Sequence, residues 1–350
     1  MGCSENELAF DFPFANSTKL SYFERMLTAL LVAALLYGFL NGFHDSANVV
    51  ATVISSRAMA PRAALMLTAA AEFVGPFLLG VAVASTIGQG LIDPAIVTPG
   101  VVLGATVGAI GWNLITWFFG IPSSSSHALV GGLLGAGLVA GGLQAIQAPG
   151  VQKALLALFV SPPLGLLAGF TLTRLTLFLA RGATPRANLL FKRLQILTAV
   201  GLAVSHGGND AQKTMGILTL GLVAAGVLPS FAVPPWAVAA SAGVMSLGTA
   251  IGGWRLIRTL GGRIYKIRPI HGFTAQSASG LVLLGAALFG GPVSTTQVVS
   301  SAIMGAGAAE RLSKVRWGVA QEMLVAWSLT IPVTAGLAAL VYLPIQRLAL

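Results

Sequence analysis

Cysteine and charge are what this chain has least of. One cysteine, Cys3, among 350 residues excludes an internal disulfide framework and any cysteine-ligated metal cluster. Charged residues make up only 9%, against about 25% in an average soluble domain, which excludes an ordinary cytosolic enzyme and a disordered chain alike. Acids are scarcer still, 10 against 20 Lys and Arg, for a net charge of +10. In a soluble protein that excess would suggest nucleic acid. Here hydrophobic residues supply 55% of the chain and mean hydropathy is +0.85, so the positive charge belongs to the loops of an integral membrane protein and no nucleic-acid partner is expected. A cleavable leader is not expected, because the first 25 residues carry Glu5, Glu7, Asp11 and Glu24 and no basic n-region. The start MGCSEN puts Asn6 where N-myristoylation needs Ser or Thr.

What is abundant is apolar sequence of spanning length. Runs fall at about 26–56, 62–87, 100–119, 127–143, 153–173, 194–226, 236–254, 272–290, 297–309 and 317–346. At roughly 30 residues per span and connection, an all-α protein of about ten to twelve membrane helices is expected. Two of the runs are too long or too polar to be single uninterrupted helices. The connections 57–62, 174–193, 255–268 and 310–316 hold 15 of the 20 basic residues. The positive-inside rule puts those connections in the cytoplasm and the acidic tail, residues 1–25, outside. Residues 88–99 and 227–235 are then external, and the expected location is the plasma (inner) membrane.

The sequence repeats itself. GIPSSSSHALVGGLLGAG (120–137) matches GGPVSTTQVVSSAIMGAG (290–307) at an offset of 170, pairing Pro122 with Pro292 and Ser124–Ser126 with Ser294–Thr296. More weakly, GFHDSANVVAT (42–52) matches GGNDAQKTMGI (207–217) and aligns Asp45 with Asp210 at an offset of 165. The first span runs out to in and the span at 194–226 in to out, so the same motifs occur in oppositely oriented halves. That predicts two inverted-topology repeats, 26–173 and 194–350, joined by the basic linker 174–193. Secondary transporters share this architecture, with the site at the repeat interface near mid-membrane.

Four acids fall inside apolar runs: Asp45, Glu72, Asp210 and Glu322. A carboxylate at that depth is costly and marks an ion or proton path, though it can also brace helices. Glu322 lies close enough to Arg316 to serve near the membrane face instead. Lys213 is the one basic residue in a span core and follows Asp210 by three residues, on the same helix face. It either pairs with Asp210 or offsets substrate charge, and the sequence leaves both open. In each Ser/Thr cluster a proline opens a run of hydroxyls that suit N-cap positions. Each therefore reads as a re-entrant hairpin ending in a half-helix, whose free N–H groups and dipole favour an anion. Hydroxyls can donate to a tetrahedral oxyanion or ligate a small cation. A hydrolase triad of Ser126, His127 and Asp45 is a poor alternative, since adjacent Ser and His side chains diverge and no nucleophile-elbow pattern is present. No enzyme is expected, and no bound cofactor.

GFHDSANVVATVISS (42–56), WNLITW (112–117), GIPSSSSHALVGG (120–132), SHGGNDAQKTMGI (205–217), LGTAIGGWRLIRTLG (247–261) and GPVSTTQVVSSAIMGAG (291–307) resemble the inorganic phosphate transporter family, in particular its bacterial low-affinity members. The resemblance runs through nearly all of 26–345. It implies symport of inorganic phosphate, alone or as a metal–phosphate complex, with protons or sodium by alternating access. A sulfate or other oxyanion permease is the alternative within the fold, and an anion channel one outside it. Carried over by position, it implies substrate contacts from Ser123, Ser124, Ser125, Ser126, Ser294, Thr295, Thr296, Asn48, Asn209, Gln212 and Lys213. It implies coupling-ion roles for Asp45, Asp210 and Glu72, with a sodium site conceivable at Asp45 and Asp210. The implied partners are phosphate, the coupling cation and the lipid bilayer, with a homodimer left open. Two positions depart from the family pattern: Gln276 stands where a Glu is usual, and Gln297 where a His is usual. Both keep hydrogen-bonding capacity, so it is coupling stoichiometry that they unsettle.

Overall fold

A computed structural model describes residues 17–262, 264 and 266–349. Most of the tail expected outside the membrane, including Cys3, lies outside the described residues. Those described contain twelve α-helices and no strand. In the first half these are α1 (Ser17–Ser55), α2 (Pro61–Leu79), α3 (Ala82–Gln89), α4 (Pro99–Phe119), α5 (Ser125–Gly141) and α6 (Ala148–Leu179). In the second they are α7 (Ala187–Ala224), α8 (Pro235–Ile251), α9 (Trp254–Gly262), α10 (Pro269–Leu288), α11 (Thr295–Glu310) and α12 (Trp317–Ala349). Seven are long and apolar enough to cross a membrane, or eight if the bent α8–α9 pair is one span. Large apolar side chains face outward, such as Phe289 at 83% and Leu179 at 73% exposure, while polar groups are collected inside. That is the pattern hydrocarbon requires, because only internal partners can satisfy buried polar groups there.

The repeat extends through the whole fold. Taken in order, the helices have lengths 39, 19, 8, 21, 17 and 32 in the first half and 38, 17, 9, 20, 16 and 33 in the second. The breaks correspond as well. Gly80 (φ 75°) ends α2 before the short α3, and Gly252 (φ 77°) ends α8 before α9, which turns away by 70°. Only glycine adopts this backbone without strain. The runs 62–87 and 236–254 are thus broken near their ends. The two longest, 26–56 and 194–226, instead lie in unbroken helices despite their polar residues, because neighbouring helices bury and satisfy Asp45, Asn48, Asp210 and Lys213. Helix also consumes most of the expected linker: α6 continues through Leu179 and α7 begins at Ala187.

The halves are interlocked rather than set side by side. α1 packs on α8 and α2 on α7, while α5 packs on α12 and α11 on α6, so most of the extensive helix pairings join one half to the other. Glycines permit this. Gly131 and Gly135 of α5 face the backbone of Ile331 and Ala335, and Gly165 and Gly169 of α6 face that of Val298 and Ala302. A Cβ at any of these would strike backbone, the small-xxx-small logic of helix association in lipid. The hairpins are fixed reciprocally. Thr86 of α3 donates to the Gly290 carbonyl (2.8 Å) and Thr259 of α9 to the Gly120 carbonyl (3.3 Å), both glycines being left-handed.

Candidate functional site

Each Ser/Thr cluster starts a helix as its proline and hydroxyls suggest. Ser124 Oγ caps α5 by accepting from the His127 N–H (3.1 Å), and Ser294 Oγ caps α11 by accepting from that of Gln297 (3.3 Å). At 16 residues α11 falls short of the ~20 needed to span a bilayer, whereas α5 continues through a 3-10 turn to Ala145 and reaches 21 residues. Their first-turn N–H groups at Ser125, Ser126, Thr295 and Thr296 have no acceptor among the described residues. These are the donors a helix start offers an anion. The tips meet: Ser126 Oγ donates to the Val293 carbonyl (2.8 Å), and His127 Nε2 lies 3.4 Å from Gln297 Nε2 across the repeat axis.

The long helices α1 and α7 bring their acids to this meeting point. Thr295 Oγ1 lies 3.3 Å from Asp45 Oδ2 and 3.2 Å from Asp210 Oδ2, bridging the two halves. Ser125 Oγ donates to Asp45 Oδ2 (3.1 Å) and Thr296 Oγ1 to Asp45 Oδ1 (3.1 Å). The Asn48 amide donates to Thr296 (3.1 Å) and reaches Thr295 (3.4 Å). Lys213 Nζ is 2.6 Å from Asp210 Oδ1, with both side chains wholly buried. None of these residues is more than 2% exposed, so the cluster is occluded. A buried ion pair of this kind contributes little net stability, yet removing one partner strands the other charge.

A second buried group lies beneath. His206 Nδ1 is 2.8 Å from Glu72 Oε1, and its Nε2 turns toward Asp210 Oδ2 at 3.7 Å. Thr249 Oγ1 contacts both Glu72 Oε2 (2.5 Å) and the Gly42 carbonyl (3.1 Å). Glu72 thus joins the central acids through His206. Ligand atoms of Asp45, His206 and Asp210 lie within 4.8 Å of one another, an arrangement able to gather round a small cation.

The other residues singled out in the sequence hold different posts. Ser123 pairs with Thr116 (2.7 Å), and Ser124 is occupied by its cap and by His127 Nδ1 (2.7 Å). Asn209 donates to the Gly291 carbonyl (3.3 Å). Gln212 Oε1 accepts from the N–H groups of Val83 (2.7 Å) and Ala84 (3.3 Å), capping α3 across the halves. Glu322 is exposed at the wall of a cavity of about 320 Å³ with Trp112 and Thr259. Gln276 accepts from Thr198 (2.9 Å), twelve residues up α7 from Asp210, roughly 18 Å at 1.5 Å per residue. The imagined triad is not assembled, since Ser126 faces a carbonyl and Asp45 takes His44 Nδ1 (3.0 Å) as its imidazole. Tyr37, which donates to the Ser125 carbonyl (3.1 Å), Asn41, which reaches Asp210 (3.4 Å), and Thr249 were not legible as site residues. Extending the weaker repeat by one residue would have found Asn41, whose equivalent is His206. Nothing local in the sequence marks Tyr37, and the family-like stretch 247–261 contains Thr249 without singling it out.

Comparison with known proteins agrees with this geometry. The model of the phosphate transporter family matches residues 41–188 and 179–338. A "Probable low-affinity inorganic phosphate transporter" of Rhizobium meliloti (strain 1021) is 44% identical over 319 residues, covering 91% of this chain and 96% of the relative. A protein of the same description from Bacillus subtilis (strain 168) is 44% identical over 322 residues, with the same coverage. A solved structure titled "The sodium-dependent phosphate transporter" superposes with a TM-score of 0.84 at 26% identity, over 92% of this chain and 99% of that one. With its interlocked helical repeats and its matches along nearly the whole length, the chain is a multi-pass membrane protein that belongs to the phosphate transporter family.

Proposed function

We propose that this protein is a secondary active symporter that carries inorganic phosphate inward with a coupling cation, by alternating access and without covalent chemistry. One observation carries the reading: two helix starts from opposite halves present uncapped N–H groups and hydroxyls around a pair of carboxylates. Donors suit the oxyanion and acceptors suit the cation. Ser125, Thr295, Thr296 and the N–H groups of 125–126 and 295–296 would hold phosphate, with Lys213 and Asn48 beside them. Asp45 would receive the cation, while Asp210 holds the Lys213 ammonium. Ser123, Ser124, Asn209 and Gln212 would act by holding hairpins and caps in place.

The cation we assign is the proton. Thr249 has one hydroxyl hydrogen and two acceptors facing it, the Gly42 carbonyl and Glu72 Oε2, so a proton on Glu72 would complete both contacts. Glu72 would pass it toward Asp45 through His206, since ligand atoms of His206 and Asp45 lie within 4.8 Å of each other. The protein would sit in the inner (plasma) membrane with its N-terminus outside, because basic residues cluster at 57–62, 174–193, 255–268 and 310–316. Radiolabelled phosphate uptake into proteoliposomes, with sodium and proton gradients imposed separately, tests the function. Uphill accumulation driven by a proton gradient and lost with an ionophore is expected. Flux without accumulation would mean a channel, and accumulation that follows sodium at fixed pH would overturn the proton assignment. For orientation, cysteine at position 183 in a Cys3→Ser background should resist an impermeant thiol reagent in intact cells.

A further inference from the structure

The two halves treat their central acids differently at one equivalent position. At the offset that pairs Asp45 with Asp210, Asn48 pairs with Lys213. Both sit one turn beyond the acid on the same helix face. Asn48 turns its amide to Thr295 and Thr296 and leaves Asp45 without a fixed cation at this position. Lys213 places its ammonium 2.6 Å from Asp210 Oδ1, on the lone pairs a bound monovalent cation would use. Among the described residues, Asp210 Oδ2 faces the Asn41 amide, the Thr295 hydroxyl and, at 3.7 Å, His206.

Resting on the reading of this chain as a cation-coupled phosphate symporter, we propose that Lys213 is a tethered counter-cation. Its ammonium takes, in the second half, the place a transported monovalent cation takes in the first, and position 213 thereby sets the ion requirement. Three things follow physically. A carboxylate oxygen occupied by an ammonium is closed to sodium. A lysine supplies a full positive charge whatever the salt, so the charge of Asp210 is offset without an ion from solution. It also remains on the protein, so each cycle carries one fewer ion than a site with two neutral partners would. The similar fold whose title is sodium-dependent shows that this architecture is compatible with an ion-requiring site.

The test is phosphate binding to purified protein by isothermal titration in sodium or choline chloride at equal ionic strength, with melting temperatures in each salt. The wild type should bind phosphate equally in both. Lys213→Asn should melt higher in sodium and bind phosphate about tenfold more tightly there than in choline, the scale of one charge-assisted contact supplied or withheld. The swap Asn48→Lys/Lys213→Asn conserves the buried charge and should show the same sodium response if the single variant does not fold. Rescue of folding by sodium alone also supports the proposal. A wild type that itself needs sodium would overturn it. So would either variant folding and ignoring sodium, or both failing to fold in either salt. A wild type that binds no phosphate would instead overturn the underlying reading.

Discussion

Asp45 in the first half and Asp210 in the second occupy equivalent turns of α1 and α7, and Thr295 touches both. Around Asp45 stand His44, Ser125 and Thr296. Around Asp210 stand Lys213 and Asn41, with His206 and Glu72 behind. The backbone repeat has kept its geometry, from helix lengths to the paired left-handed glycines, while the side chains at equivalent positions have diverged in charge. One half thus holds its acid with hydroxyls and an imidazole, and the other with an ammonium. A symmetric scaffold can in this way present a phosphate with one of its two acids already neutralised.

The largest expected effect separates the acids by stability. Asp45→Asn and Asp210→Asn should each abolish phosphate accumulation in proteoliposomes while the protein still inserts. Only Asp210→Asn strands a buried ammonium, a penalty of about 3–5 kcal/mol. Its melting temperature should therefore fall well below that of Asp45→Asn, and equal losses would erase the asymmetry between the two acids.

The next tests where the halves are alike. Gly135→Leu in α5 and Gly169→Leu in α6 both thrust a side chain into the backbone of the opposite half's helix. Each should lose about 1–3 kcal/mol or more by overpacking, read as thermal unfolding in detergent. A large loss in one and none in the other would show that the interlocking is not reciprocal.

Smaller effects sharpen the comparison at the hydroxyls. Thr295→Ala removes a bridge to both acids and should weaken phosphate binding by about 2 kcal/mol, and Ser125→Ala by about 1 kcal/mol. Scintillation proximity binding reads the difference, and unchanged affinity in both variants would remove the hydroxyls from the site. The smallest effect belongs to Gln276. With its partner Thr198 far up α7 from Asp210, Gln276→Glu combined with Thr295→Ala should change stability additively, to within about 0.5 kcal/mol. Clear coupling in that double-mutant cycle would tie Gln276 to the central cluster.

The sequence by itself determined the class, the repeat and the chemistry available. Low charge and long apolar runs dictate a membrane protein because hydrocarbon tolerates few unpaired polar groups. The offset motifs dictate a duplicated fold, and Pro followed by hydroxyls dictates the starts of α5 and α11, since capping is local. Asp45, Asp210 and Lys213 stand out because charge at that depth is costly. Only the tertiary structure decided where helices break and which side chains meet. Gly80 and Gly252 interrupt α2 and α8, whereas the more polar α1 and α7 run unbroken, because polar residues inside a helix are satisfied by neighbours the sequence does not name. Thr249 on Glu72, Gln212 on the start of α3 and Thr295 between two acids are contacts between segments more than eighty residues apart. Hydropathy and spacing carry no record of such contacts, and it is the crossing of α1 with α8, of α2 with α7, and of each hairpin with the opposite half that creates them.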